Sequence, residues 1–260
     1  MDTTPTQVDI RLYLLGGFAL HADGVEVDLP TSAQRLLAFL ALRDRPLMRA
    51  AVAGVLWNET TDERSCASLR SSLWRLRRSG FDLIEAGRND LRLSPHVEVD
   101  VHRMMDITHD LLNERAGSAR IDIDEGELAG DLLPDWYDDW VLIERERIRQ
   151  LRLRALEALA LRRLEAGRHG AAAGAALAAV SIEPLRESAQ RALIRVHIAE
   201  GNVGEALRQY RLYRDLLYEE MGLSPSEQLE SLIEPITQRI GSTLHRTVRL
   251  DSAPTVTRSL

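Results

Sequence analysis

Between Arg64 and Gly80 the chain carries five arginines and no acidic residue, in a 260-residue protein whose formal net charge is −7. The run reads Arg64-Ser-Cys-Ala-Ser-Leu-Arg70-Ser-Ser-Leu-Trp-Arg75-Leu-Arg77-Arg78-Ser-Gly80. Cys66, Leu69, Leu73 and Leu76 recur at three- and four-residue steps, the spacing of one helical face. The opposite face carries Arg64, Ser68, Ser71, Arg75 and Arg78. Arg70 and Arg77 fall nearer the apolar stripe, where a long side chain snorkels outward. Such a helix suits a DNA major groove, because arginine bonds two guanine acceptors at once and serine reaches base or phosphate. Taken alone it suits equally a solvated amphipathic helix paired with acids elsewhere. Its flanks decide.

Upstream, Ile10–Leu15 and Phe18–Leu20 read as short strands interrupted by Gly16-Gly17, and Asp23-Gly24 is a tight-turn signal before Val25–Val27. Thr31 with Gln34 forms a capping-box signature that opens a helix with apolar Ala33, Leu36, Leu37, Leu40 and Ala41, ending before Pro46. A second short helix covers Arg49 to Trp57. Thr60 with Glu63 is another capping box and opens the arginine helix. Beyond Gly80, Asp82–Glu85 and Leu91–Leu93 flank Gly87-Arg88-Asn89-Asp90, a hairpin with a polar tip. Strands, three helices with the third basic, and a hairpin make a winged helix-turn-helix preceded by a small sheet. In that module the third helix enters the major groove and the wing approaches the adjacent backbone. Arg88, Asn89 and Arg92 are the wing candidates.

Composition bounds the rest. With 45% hydrophobic residues over this length, the chain buries a sizeable core and divides into two domains. It has no run of about 18 apolar residues for a membrane span, and Met1 to Val8 does not resemble a signal peptide. One cysteine, Cys66, excludes an intramolecular disulfide, fits a reducing cytoplasm and falls among core positions of its helix. There is no lysine: all 33 basic residues are arginine. That excludes a Schiff base and the lysine-bearing phosphate loop, and it suggests a GC-rich genome. The seven histidines include no pair at the four-residue step of a helical zinc site. With no nucleophile elbow or dinucleotide fingerprint either, no enzyme, metal site or cofactor is expected.

Charge divides unevenly: residues 1–98 hold 12 Arg against 13 acids, residues 99–260 hold 21 against 27. A locally basic N-terminal part attracts phosphate, whereas the acidic remainder faces something else. From Val99 onward, helical periodicity covers segments near 100–115, 138–166, 169–182, 185–200, 203–220 and 226–240. Leu164-Glu-Ala-Gly167-Arg-His-Gly170-Ala-Ala172 aligns with Ile198-Ala-Glu-Gly201-Asn-Val-Gly204-Glu-Ala206 at an offset of 34 residues. That is the tetratricopeptide period. Trp136, Tyr137 and Trp140 are candidates to anchor a partner or to pack against the DNA-binding part. The acids around them (Asp131, Asp135, Asp138, Asp139) are candidates to meet a basic surface on RNA polymerase or a second protomer. The expected organisation is a disordered tail at 1–7, an α+β winged helix-turn-helix at 8–99, an all-α tetratricopeptide-like domain at 100–240 and a disordered tail at 241–260.

Leu14-Leu-Gly-Gly-Phe18, Gln34-Arg-Leu-Leu-Ala-Phe-Leu40, Val52-Ala-Gly-Val-Leu-Trp57 and Ala67-Ser-Leu-Arg-Ser-Ser-Leu-Trp-Arg-Leu-Arg77 resemble the streptomycete antibiotic regulatory protein family. So do Gly130–Trp140 and Glu219–Ser226 in the second half, and the resemblance covers residues 8 to about 240. It implies an OmpR-like winged helix followed by a bacterial transcriptional activator domain. Leu73-x-x-Leu76-Arg77-Arg78 matches the end of that family's recognition helix, which implies DNA contacts from Ser72, Arg75 and Arg77. Many members carry a Gly-Tyr pair after the wing turn, where this chain has Gly87-Arg-Asn-Asp-Leu91. The candidate DNA set is therefore Arg64, Ser68, Arg70, Ser71, Ser72, Arg75, Arg77 and Arg78 on the helix, with Arg88, Asn89 and Arg92 on the wing. The function the resemblance implies is sequence-specific activation of secondary-metabolite genes from promoter direct repeats. Protomers would lie side by side on double-stranded DNA and touch RNA polymerase holoenzyme. Two other classes stay open: a regulator whose helical domain senses a small molecule, and a scaffold whose winged helix binds protein.

Overall fold

The computed structural model describes residues 8–113 and 121–238. The chain divides into two compact units, Met1–Ala155 and Leu156–Leu260. The tails expected at 1–7 and 241–260, and the break expected at Gly117, lie outside the described residues. Among the described residues no helix is long and apolar enough to cross a membrane.

The first unit opens with a four-stranded sheet. β1 (Ile10–Tyr13), β2 (Ala19–Ala22) and β3 (Val25–Glu26) form an antiparallel meander, and β7 (Val97–Val99) lies parallel to β1, giving the order β3-β2-β1-β7. Leu12 pairs with Leu20 on one side and with Val99 on the other. Ile10 and Leu12 are buried while Arg11 and Tyr13 face solvent, the period-two pattern of a half-covered sheet. Next come α1 (Thr31–Arg43), β4 (Leu47–Met48), α2 (Arg49–Leu56), α3 (Asp62–Arg78) and the hairpin of β5 (Ile84–Ala86) with β6 (Asp90–Leu93). β4 joins that hairpin in a second sheet of order β4-β6-β5. This is the expected winged helix-turn-helix. Leu36, Leu37 and Leu40 of α1, Val52 and Leu56 of α2, Leu69 and Leu76 of α3, and Leu83 and Leu91 of the wing are all buried. Each buried leucine contributes about 1.5–3 kcal/mol relative to exposure, which holds α3 and the wing in place.

Several local expectations are corrected. The first strand ends at Tyr13 instead of Leu15, because the next two amides turn to the Asp100 carboxylate, Leu14 N at 3.0 Å and Leu15 N at 2.9 Å. Asp100 also accepts from Val101 N at 2.7 Å, at the start of α4 (Asp100–Asn113). Burial pushes this carboxyl up from its ordinary value, against the pull of the three amides. Neither expected capping box forms. Pro30 is the N-cap of α1, and the Gln34 amide donates instead to Leu29 O at 2.8 Å. Thr61 precedes α3, while the Thr60 hydroxyl turns back to Trp57 O at 3.2 Å and closes the end of α2.

Residues 121–155 belong to the first unit. A bridge between Leu15 and Leu132 is flanked by Gly16 N to Asp131 O at 2.8 Å and Leu133 N to Leu14 O at 2.9 Å. From α5 (Asp139–Glu165), Arg145 donates to Leu132 O at 2.8 Å and to Trp136 O at 2.7 Å, and Arg152 donates to Leu128 O at 2.8 Å. Ion pairs Arg35–Asp138 and Arg43–Glu144 tie α1 to the start of α5. Strand patterning stops at Val99, but compactness continues to Ala155, within α5.

In the second unit, the end of α5 is followed by α6 (His169–Ile182), α7 (Glu187–Ala199), α8 (Val203–Met221) and helical residues 227–238. The 34-residue period is visible in the backbone. α5 ends at Glu165 and α7 at Ala199; α6 starts at His169 and α8 at Val203. Gly167 and Gly201 both take left-handed φ, 73° and 78°. Arg168 N bonds Arg163 O, and Asn202 N bonds His197 O, each at 2.8 Å. Both turns therefore close a helix in the same way, with glycine where a side chain would strain the backbone. Ala172 and Ala206 are fully buried, as close helix packing requires. Ile194, Leu207, Tyr213, Leu217, Leu229 and Ile233 form a core of this unit. Within it the Tyr213 phenol is pushed up to about 12, chiefly by burial and further by Glu187.

Candidate nucleic-acid interface

α3 buries Ser65, Leu69, Ser72, Leu73 and Leu76. Two of these are serines, and Cys66, expected in the stripe, is only half-buried. Ser65 satisfies its hydroxyl on Asp62 O at 2.9 Å. Ser72 is fully buried (0% exposed), and its hydroxyl has no partner among the described residues. The DNA contact implied for Ser72 is thus corrected: the side chain packs inward, toward the core that carries the helix.

The remaining helix candidates stay at the surface. Arg64, Arg70, Ser71, Arg75, Arg77 and Arg78 are exposed, and Ser68 is half-buried. Among the described residues, the guanidinium groups of Arg64, Arg70 and Arg77 make no hydrogen bond or ion pair. Arg75 donates to Ser32 Oγ at 2.8 Å, which links α3 to the first turn of α1. The Arg78 guanidinium lies over the Trp74 ring, 4.8 Å from its centroid. The acids Asp62 and Glu63 stand in the first turn and Arg75, Arg77 and Arg78 in the last, each matching the helix dipole. The positive potential therefore gathers at the C-terminal half of α3.

The wing is held from below. Arg49, at the start of α2, donates its amide to Asn89 O at 2.9 Å and its guanidinium to Gly87 O at 3.0 Å. Arg88 at the tip is exposed and its guanidinium is free of partners among the described residues. Arg92 differs, since it bonds Glu85 across the hairpin at 2.6 Å, a partly exposed pair. Sequence reading missed Arg49 and Trp74. Arg49 carried no local signal, because its partners are some 40 residues away. Trp74 did carry one, the four-residue step to Arg78.

The aromatic candidates separate. Trp140 is 6% exposed and meets Phe39 edge-on at 5.2 Å, while Trp136 stacks on Phe18 at 6.0 Å and touches Trp140 at 6.4 Å. These two tryptophans pack 121–155 onto the winged helix, and Tyr137 alone, 78% exposed, faces out. It lines a groove of about 800 Å³ with Val55, Trp57 and Ile143. Of the acids, Asp138 is paired with Arg35 and the exposed Asp131 with Arg152, leaving Asp135 and Asp139 exposed and without a side-chain partner among the described residues.

Residues 118–237 match the bacterial transcriptional activator domain. The chain is similar to the regulatory protein AfsR of Streptomyces coelicolor, 31% identical over 251 residues that take in 88% of this chain and 24% of that protein. It is similar also to AfsR of Streptomyces griseus, 28% identical over 218 residues, 77% of this chain and 22% of that protein. The chain thus spans about a quarter of the length of the curated relatives it matches. Among solved structures it resembles Mycobacterium tuberculosis EmbR in complex with a low affinity phosphopeptide. There the TM-score is 0.74 at 25% identity, over 89% of this chain and 66% of that one. With a basic winged helix ahead of a match to the bacterial transcriptional activator domain, the chain resembles the streptomycete antibiotic regulatory protein family.

Proposed function

We propose that the chain is a transcriptional activator that binds promoter DNA sequence-specifically, with α3 in the major groove and the wing tip on the flanking backbone. The single observation that carries this reading is the state of the arginines. Arg64, Arg70 and Arg77 on α3 and Arg88 on the wing have no internal partner among the described residues, in a chain of net charge −7. They are concentrated on one helix and one hairpin tip, and no acid between Arg64 and Gly80 offsets them. Unpaired guanidinium groups on one helix and one hairpin tip match the phosphate and guanine contacts of a winged helix.

The finer reading follows the family: direct repeats in promoters of secondary-metabolite genes, protomers side by side, and contact with RNA polymerase in the cytoplasm. The exposed Tyr137 with Asp135 and Asp139 is the surface we assign to a protein partner. Selection of bound sequences from a random duplex library at near-physiological salt tests the DNA reading. Enrichment of a short element repeated at about one helical turn is the expected result. Weak, salt-sensitive binding with no enrichment would instead favour a winged helix that binds protein.

A further inference from the structure

The buried residues of α3 decide which of its side chains points straight outward. With Ser65 and Ser72 inside, the outward direction passes through Ala67, Trp74 and Arg78. That is a turn of about 40° from the axis through Ser71 that a stripe on Cys66 gives. Trp74, 57% exposed, therefore sits at the crest of the helix between Arg70 and Arg78. Ala67, two turns earlier and also exposed, has no side chain long enough to hold the helix off a groove floor.

A tryptophan at the crest of a DNA-facing helix supplies what the arginines lack, an apolar surface. The major groove offers one apolar feature, the C5-methyl of thymine. The Arg78 guanidinium lies over the indole at 4.8 Å, and with that contact in place Trp74 still stays 57% exposed. The stacked guanidinium is held by a cation–π contact and loses little further freedom when its fork meets a base. We infer that Trp74 is a specificity-determining residue: its indole packs on the methyl of one thymine, and Arg78, seated on the indole, bonds the guanine beside it. The inference rests on the DNA-binding reading above.

The test uses the full chain and the duplex enriched by selection, with each thymine replaced singly by deoxyuridine, which removes only the methyl. The wild-type chain loses roughly fourfold in affinity at one thymine, the effect of one buried methyl group. Trp74→Ala binds the thymine and uracil duplexes equally at that position while melting at the wild-type temperature, since the side chain is mostly exposed. Arg78→Ala relaxes preference at the adjoining guanine. A wild-type chain indifferent to every replacement, or a Trp74→Ala variant that keeps the wild-type ratio, overturns the inference and leaves DNA binding standing. An Arg78→Ala variant whose preference changes elsewhere removes the pairing of the two residues. A wild-type chain that enriches no sequence overturns both readings.

Discussion

Arg92 donates to Glu85 across the β5–β6 hairpin at 2.6 Å, so one of the two wing arginines already has an anionic partner inside the protein. The pair is partly exposed, and its net stabilisation is small. Its effect falls on the phosphate contacts available to the wing. Glu85→Gln frees Arg92 and steepens the slope of log affinity against log salt by about 0.9, one additional phosphate. Arg92→Ala leaves the slope near the wild-type value, and Arg88→Ala makes it shallower. Anisotropy titrations across a salt series check all three.

Arg75 is aimed by Ser32. Arg75→Ala costs about 1–3 kcal/mol and relaxes specificity at one base pair. Ser32→Ala removes only the tether and costs about 1 kcal/mol or less, with the same base preferred. A uniform loss on all sequences for Arg75→Ala would reassign it to a phosphate.

Ser72 presents a buried hydroxyl in a helix interior, without a partner among the described residues. Ser72→Ala raises unfolding stability by about 1 kcal/mol, because an unsatisfied polar atom is removed and alanine favours helix. DNA affinity is unchanged. A variant that unfolds like wild type yet loses affinity would restore Ser72 to the interface.

Asp100 carries a pH dependence of definite sign. Its carboxyl is raised in the fold above the ordinary 3.8, chiefly by burial, so the folded chain holds the proton to higher pH than the unfolded chain does. This group's contribution is complete below 3.8 and is lost as pH rises through its folded value. The stability of wild type relative to Asp100→Asn therefore improves as pH falls through that window. Paired urea titrations at descending pH measure it, and a wild type that gains no stability relative to Asp100→Asn on acidification contradicts the assignment.

What was legible in the chain was whatever its local pattern encodes. Gly167 and Gly201 with Ala172 and Ala206 revealed the repeat, because a left-handed turn and a close helix contact each demand one residue type. The three helices and the wing hairpin of the first unit followed from apolar spacing and turn residues. Ser65 and Ser72 were not legible, since a wheel sorts by polarity and the packing of α3 on α1 and α2 sorts by size. β7 beside β1 and β4 beside β6 rest on pairings over long sequence separations, in strands of three and two residues. The Glu85–Arg92 pair and the role of Arg49 under the wing likewise exist only once the chain has folded.

The Asp100 clamp, the Leu15–Leu132 bridge and the Trp136–Trp140 contacts have a consequence for recombination of this chain with others. A graft of its DNA specificity that cuts after residue 99 severs all three and strips Phe18 and Phe39 of their cover. The portable cassette runs into α5 as far as about Ala155, where the first unit closes. Chimeras joined there keep all three contacts and the cover over Phe18 and Phe39.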